Sequence, residues 1–276
     1  MKPTYSPAAC LLLFCSLLGT PSLASHPLPA WQELAFEQKA LWATARSRIS
    51  IAQGEGAENQ WQLKASSSVV SNAEEVKLTL RADSGAAIAR TRLSSGKNQR
   101  LKTYAYRPES ILRERREPGK NSGGDDSEWP ITSRKTLRYP HDLGQRVVTD
   151  AYALLPLAGR FLESGGDTME IAVHTDHNFY RVILSRGETR EIEVNYQLNG
   201  QEKVTAAQQA QQVKLQVSPL GPEEDKADFS LLGLSGDISL LLAADSGLPL
   251  RLRGIAPRIG ETTIELKSAS LREPGT

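Results

Sequence analysis

Apolar and polar residues alternate along most of this chain, which is the pattern of half-buried antiparallel β-strands. The alternation is clear from Trp61 to Val69, from Val76 to Leu80 and across the flanks of the turn Ser95-Gly96-Lys97-Asn98. We therefore predict that residues 41–116 form a set of N-terminal β-strands.

The residues before these strands have an ambiguous pattern. Trp31, Leu34 and Trp42 fit a helical stripe, whereas Ala43 to Ile51 alternate as a strand does. Because β-branched residues enter only after about Leu41, a strand is favoured from there onward. Residues 25–40 are interpreted as a leader segment.

Alternation is nearly continuous over residues 131–270, which predicts a C-terminal antiparallel meander within the same overall β domain. Asn199-Gly200 is a strong signal for a tight hairpin turn. A short helix is expected near residues 149–161, because Thr149 or Asp150 can cap it and Gly159 or the later pair Gly165-Gly166 can end it. Pro156 should shorten, kink or restart this helix.

The segment from Glu117 to Trp129 separates the two sets of strands. It contains Pro118, Gly119, Gly123, Gly124 and several acidic residues, and this composition buries little apolar surface. We predict a flexible acidic loop at 117–130.

Residues 1–24 have the pattern of a secretory signal peptide. Lys2 precedes an apolar run from Ala8 to Leu18, and Ser22-Leu23-Ala24 supplies the small residues of a cleavage site. The alternatives are an uncleaved anchor and a lipidated Cys15. However, the apolar run is shorter than the roughly 20 residues of a membrane-spanning helix, and a large residue, Phe14, precedes Cys15. We predict cleavage before Ser25 and a periplasmic location.

The mature chain would contain no cysteine, because Cys10 and Cys15 both lie in the signal. It would also carry 32 basic and 32 acidic residues, a formal charge of zero. A chain without net charge has no overall positive electrostatic potential that would attract nucleic acid. No later segment is apolar enough to predict a transmembrane span, and the core has to form without disulfides.

Three short motifs suggest chemistry but have simpler interpretations. His174-Thr175-Asp176-His177 has metal-binding residue types, yet it lies between two alternating segments and therefore predicts a hairpin turn. Ser94-Ser95-Gly96-Lys97 has a Ser-x-x-Lys spacing without its companion elements. Leu232 to Asp237 only approximates a nucleophile elbow. We predict no catalytic, metal or cofactor site.

Basic residues are concentrated between Arg100 and Arg138, with tyrosines among them. A basic sheet face would bind an anionic phospholipid or glycolipid group or an acidic protein surface. The alternative is a solvated face neutralised by Asp125, Asp126 and Glu128. The expected ligand-binding residues are five basic side chains and one tyrosine of the helix: Arg113, Arg115, Arg116, Arg134, Lys135 and Tyr152.

Several short segments of the second half resemble an exported bacterial family catalogued as domain of unknown function 3108. The resemblance covers mainly residues 131–270, and its motifs are Ser133-Arg134-Lys135, Asp150 to Pro156, the strands across Val173 to Val182, and Asp245 to Leu250 before Ile259-Gly260. It implies an envelope location and a strongly curved antiparallel sheet, half-barrel or barrel-like, with the short helix packed against it. It implies no particular activity.

The expected function is a non-enzymatic binding or interaction module for an envelope component such as a lipid or glycolipid, or for another envelope protein. An envelope hydrolase with an unrecognised site and a structural assembly protein are the alternatives. Whether the sheet and helix enclose a cavity or a packed core is left open by the sequence.

Overall fold

The computed structural model of this protein describes residues 27–40, 43–69, 72–119, 125–221 and 227–273. The predicted signal peptide, its cleavage site and both cysteines lie outside the described residues. Within the described ranges the fold is one large, curved, mainly antiparallel sheet of 15 strands and one short α-helix. The predicted fold class is therefore confirmed.

Eight strands form the first part of the sheet: β1 (Trp31–Ala40), β2 (Ala43–Gly54), β3 (Ala57–Val69), β4 (Asn72–Arg81), β5 (Ala87–Ser95), β6 (Arg100–Tyr106), β7 (Ser110–Arg116) and β8 (Ile131–Arg138). Each pairs with its neighbour in the chain, so this part is a meander that ends at β8. The strand β1 corrects the sequence interpretation of residues 25–40 as a leader. Leu34, Phe36 and Gln38 of β1 alternate and are buried, and Trp31 is buried beyond a register shift between Trp31 and Glu33.

Seven strands form the second part: β9 (Val148–Thr149), β10 (Thr168–His174), β11 (Phe179–Leu198), β12 (Glu202–Leu220), β13 (Ser235–Ala243), β14 (Pro249–Ala256) and β15 (Gly260–Leu271). The last strand, β15, pairs with β1, so the two ends of the chain meet in the middle of the sheet. The far end of β11 also pairs with β15, at Gln197 and Leu198, and this contact curls the second part into a partial ring. Asn199 and Gly200 have positive φ angles of 50° and 72° in the predicted hairpin turn.

The helix α1 (Leu154–Glu163) lies in the hollow of the sheet and follows a 3₁₀ turn at Ala151–Ala153. Pro156 is in the first turn of α1, where its missing N–H costs no helical hydrogen bond. Leu154, Leu155 and Phe161 are fully buried against the inner face of the sheet. The hollow beside these side chains is therefore a packed core.

A glycine brings the β4–β5 turn against this helix. Gly85 has a φ of +73°, and a Cβ atom there would lie 2.7 Å from a methyl carbon of Leu157. The Thr149 hydroxyl donates a hydrogen bond of 2.7 Å to the Gly85 carbonyl. Only glycine allows both this conformation and this close approach, and the contact fixes the height of the helix above the sheet.

Part of the predicted flexible acidic loop has defined contacts. Residues 120–124 lie outside the described residues, but Asp126–Glu128 forms a 3₁₀ turn and Trp129 is 8% exposed. Arg116 donates hydrogen bonds to the carbonyl oxygens of Ser127 and Trp129, at 3.1 and 3.0 Å. The buried indole and the arginine give residues 125–129 an order that composition alone did not predict.

Candidate functional site: a polar cavity beside the helix

A cavity of about 290 Å³ lies between the inner face of the sheet and the start of the helical segment. Its walls include Gln38, Ser47, Ser67, Glu74, Arg92 and Tyr152. A neighbouring groove of about 480 Å³ shares Ser47, Ser67 and Glu74 with it, so the two spaces adjoin. The volume is close to the lower end of small-molecule sites, roughly 300 Å³.

One buried arginine joins three elements at the wall of the cavity. Arg90 of β5 pairs with Asp150, with 2.6 Å between Nη1 and Oδ2, and donates hydrogen bonds to the carbonyl oxygens of His174 and Thr175 at 2.9 and 2.7 Å. The other oxygen of Asp150 accepts a hydrogen bond of 2.9 Å from the backbone N–H of Tyr152. Asp150 is one of the two capping residues that the sequence allowed; it caps the 3₁₀ turn at Ala151–Ala153 and holds Tyr152 against the sheet.

The turn between β10 and β11 inserts a carboxylate into the basic strands. Asp176 accepts hydrogen bonds from Lys102 Nζ at 2.5 Å and Tyr104 Oη at 2.7 Å, and it pairs with Arg92 Nη1 at 2.9 Å. Its backbone carbonyl accepts a further hydrogen bond from Arg113 at 2.9 Å. The basic face that the sequence predicted therefore has an anionic partner within the same chain.

These charges change the protonation equilibria of the buried groups. Burial raises the pKa of Asp176, but Arg92 and Lys102 outweigh burial and hold that pKa well below its usual range. Burial, reinforced by the positive charge of Arg90, holds the pKa of His174 far below its usual range. At neutral pH, Asp176 is therefore charged and His174 is neutral.

A second carboxylate fixes the loop at the mouth of the cavity. Asp228 accepts hydrogen bonds from the Thr175 hydroxyl at 2.6 Å, the Asn178 amide at 3.0 Å and the Tyr180 hydroxyl at 3.1 Å. The backbone N–H of His177 donates to the same side chain at 3.1 Å. The loop and the β10–β11 turn are consequently held together as one wall.

Four buried nitrogen atoms in residues that line the cavity have no hydrogen-bond partner within the described part of the chain. They are Nε2 of Gln38, Nε of Arg90 and of Arg92, and Nε2 of the fully buried His174. Buried polar groups are nearly always hydrogen-bonded in folded proteins. The wall of the cavity therefore contains polar groups that lack a partner.

Aromatic side chains enclose His174. Its Nδ1 lies 3.3 Å from the Tyr106 hydroxyl, and the rings of Tyr104, Tyr106 and Phe179 surround the imidazole. Among the described residues, no serine hydroxyl is hydrogen-bonded to His174.

The predicted basic residues do not form one site. Arg113 and Lys135 are cross-strand partners and share a face of the sheet, whereas Glu114 and Arg134 are partners on the opposite face. Arg134 Nε donates to Glu114 at 2.7 Å. Because neighbouring strand residues point to opposite faces, a basic sequence run does not make a basic surface.

Two further residues of the predicted set are engaged locally. Arg115 pairs with Glu117. Arg116 donates hydrogen bonds to the carbonyl oxygens of Ser127 and Trp129, and its Nη2 lies 3.8 Å from Oε2 of Glu114. The sequence suggested that Asp125, Asp126 and Glu128 neutralise this face. The basic side chains of these strands pair with other carboxylates instead. Of the six residues predicted to bind a ligand, Tyr152 is the one that lines the cavity in the described part of the chain.

The structure confirms that His174-Thr175-Asp176-His177 lies at a hairpin turn, between β10 and β11. Over the residues that the structure describes, no three His, Cys, Asp or Glu side chains are grouped so that they could share a metal ion. None of the helices in the same ranges has the length and apolar character that crossing a membrane requires.

Sequence reasoning missed Gln38, Ser47, Ser67, Glu74 and the pair Arg90 and Arg92 as parts of a site. One signal was present, because Arg90 and Arg92 alternate in a strand, on the same face as the tyrosines of the next strand. Two charges on a face otherwise directed to the core indicate buried partners. Comparison with protein-family models, curated proteins and solved structures gives no significant match to this chain.

Proposed function

We propose that this protein is an exported, non-enzymatic binding module of the cell envelope and that its ligand occupies the cavity beside Tyr152. The observation that carries the proposal is a polar cavity with buried, unpaired nitrogen atoms in its wall, at Gln38, Arg90, Arg92 and His174. A folded protein keeps such groups at a cost of about 1–3 kcal/mol each, and a ligand that pairs with them removes that cost.

The wall is also rigid enough to be a preformed site. The ion pair of Arg90 with Asp150 and the contacts of Asp176 hold the helix start and the β10–β11 turn against the sheet. A site whose polar groups are already oriented loses little free energy to ordering when it binds. This preorganisation supports binding as the role of the cavity.

The geometry supports the polar part of an envelope component over an acyl chain as the bound group. An acyl chain needs an apolar space, and α1 fills the hollow of the sheet with Leu154, Leu155 and Phe161. The periplasmic assignment is supported by the signal pattern of residues 1–24 and by the resemblance to the exported family. Membership of that family stays a prediction.

Native mass spectrometry of protein purified from a periplasmic extract tests the proposal. The variants are Ser47→Leu, which fills the cavity from the inner face of β2, and Ser50→Leu, a matched control whose side chain is on the outer face of the same strand. We expect an added ligand mass on the wild type and on Ser50→Leu and its loss from Ser47→Leu. No added mass on the wild type, or the same mass on all three proteins, contradicts the proposal.

A further inference from the structure

The charged groups of the cavity wall are already compensated within the chain. Arg90 pairs with Asp150 at 2.6 Å, and Arg92 pairs with Glu74 at 2.5 Å and Asp176 at 2.9 Å. A charged ligand has to compete with these internal pairs, and drawing one partner away from the buried Arg90–Asp150 pair leaves the other charge without a counter-ion. The cavity is therefore poorly suited to a ligand recognised by its charge.

The remaining carboxylate of the wall is also occupied. Asp228 is surrounded by neutral donors from Thr175, Asn178, Tyr180 and the backbone of His177. A carboxylate with this many hydrogen bonds has few lone pairs left for a cationic ligand. The charges of the wall are therefore compensated within the chain, although the Nε–H groups of Arg90 and Arg92 have no hydrogen-bond acceptor among the described residues.

The wall also carries hydroxyl and amide groups. Ser47, Ser67 and Tyr152 supply hydroxyls that both donate and accept hydrogen bonds, and Gln38 supplies a buried amide nitrogen without a partner in the described ranges. Ser67 and Tyr152 are hydrogen-bonded to each other, and this single bond leaves one hydroxyl hydrogen and several lone pairs of the two groups free. Groups of this kind match a ligand that carries several neutral hydroxyls.

The adjoining groove gives such a ligand room to extend. It shares Ser47 and Ser67 with the cavity and adds Ser66 and Ser68. Charged side chains also line it: Glu37, Arg46, Arg48, Glu75 and Lys267. A group bound in the cavity can therefore continue into a chain of similar units that lies along the groove.

From these observations we infer that the cavity binds a neutral sugar residue, the terminal unit of an envelope oligosaccharide or of a glycolipid headgroup. This inference rests on the proposed function and names its ligand class. It differs from the anionic group expected from the basic sequence run, because Asp176 pairs with Lys102 and Glu114 pairs with Arg134 of that run.

Two probes from the same envelope fraction separate the two sources of the sugar. The first is the oligosaccharide pool that mild acid releases, and the second is a set of vesicles made from the intact extracted lipids. Immobilised full-length mature protein is exposed to each probe at about 50 mM and about 500 mM NaCl, because salt in this range screens contacts between charges. Retained saccharide is quantified by mass spectrometry.

The variants are Tyr152→Phe and Ser67→Ala, which remove hydroxyls without adding bulk, with Ser50→Leu as the control and thermal unfolding as the check on folding. We expect retention that changes less than about twofold with salt and falls about three- to tenfold in Tyr152→Phe and Ser67→Ala. Retention of the released pool shows that a free oligosaccharide is sufficient for binding. Retention of the vesicles alone shows that the ligand is a glycolipid. Both results support a sugar in the cavity.

Retention of vesicles that contain no detectable sugar, or saccharide retention that salt abolishes, overturns the inference. So does equal retention by the wild type and the two hydroxyl variants. A different result contradicts the proposed function, namely native protein that carries no ligand at all. A bound ligand whose mass shows that it is not a saccharide or glycolipid overturns only the inference of a sugar and leaves the proposed function intact.

Discussion

Arg90 and Asp150 form an ion pair of 2.6 Å between Nη1 and Oδ2, with side chains that are only 4% and 8% exposed. The same aspartate accepts the backbone N–H of Tyr152 at the start of the helical segment. Asp150 therefore joins the start of the helical segment to the sheet and holds Tyr152 at the wall of the cavity. The position of the site depends on charges that lie 60 residues apart in the sequence.

Replacing Arg90 should destabilise the protein strongly. Arg90→Met leaves Asp150 as a buried charge without its partner, and we expect the free energy of unfolding to fall by about 3–5 kcal/mol. Urea denaturation followed by tryptophan fluorescence measures this. The control is Arg253→Met, because Arg253 and Glu261 form an exposed pair that should contribute at most about 1 kcal/mol. Similar losses in the two variants would mean that the Arg90 pair is not a structural contact of the core.

Asp176 should make stability depend on pH. Its pKa in the folded protein is held below the ordinary value of 3.8, because Arg92 and Lys102 outweigh the effect of burial. A group with a lowered folded pKa stabilises the protein above its unfolded pKa, and this contribution is lost as the pH falls through the folded pKa. We therefore expect the free energy of unfolding to decrease as the pH drops below about 4.

The variant Asp176→Asn tests the origin of that pH dependence. It should lower stability at pH 7 by about 3–5 kcal/mol, because Lys102 and Arg92 lose a charged partner, and it should flatten the decrease below about pH 4. Glu261→Gln, at an exposed pair, is the control and should leave the pH profile unchanged. A profile for Asp176→Asn that is as steep as that of the wild type would assign the acid sensitivity to other carboxyls.

The helix should tolerate no charge on its buried side. Leu154 is 0% exposed in the main core, and Leu154→Asp places a carboxylate there without a partner. We expect a loss of about 4 kcal/mol or more, measured by thermal and urea unfolding. Ile255 is 53% exposed, so Ile255→Asp should change stability by only about 0.5 kcal/mol. A cooperatively folded Leu154→Asp protein of normal stability would show that α1 does not support the sheet.

The exported protein should begin at Ser25. The small residues Ser22 and Ala24 behind a short apolar run predict cleavage after Ala24. Intact-mass spectrometry of protein from the periplasmic fraction measures the mature N-terminus. A product that retains Cys15 with acyl chains would instead identify a lipoprotein and remove the periplasmic assignment of a free protein.

The sequence predicted the strands well because their period-two pattern is local. It also predicted the helix, its cap at Asp150 and the turns at Asn199-Gly200 and His174 to His177, since each depends on neighbouring residues. It failed at Trp31 to Ala40. There Trp31 and Leu34 also fit a helical spacing, and only pairing with the distant β15 selects the strand.

The candidate site was much less predictable. Composition suggested that the arginines face an external anion, but Asp176 reaches Lys102 across 74 residues of sequence. Such a contact follows from the curvature of the whole sheet and has no local signal. The role of Gln38 and Ser47 was equally hard to predict, because polar residues in strands are ordinarily exposed. The cavity that they line is also bounded by Tyr152 of the 3₁₀ turn and by Leu232 and Gly233, which are distant in sequence.

The most direct test of this account is the structure of the protein purified with the molecule it carries from the envelope. The account predicts density for that molecule in the cavity beside Tyr152, with hydrogen bonds to Ser47 or Ser67 and to the amide of Gln38. Density on the outer side of β7 and β8 near Arg116 and Arg134, or a cavity that holds only water while a ligand lies elsewhere, would contradict it.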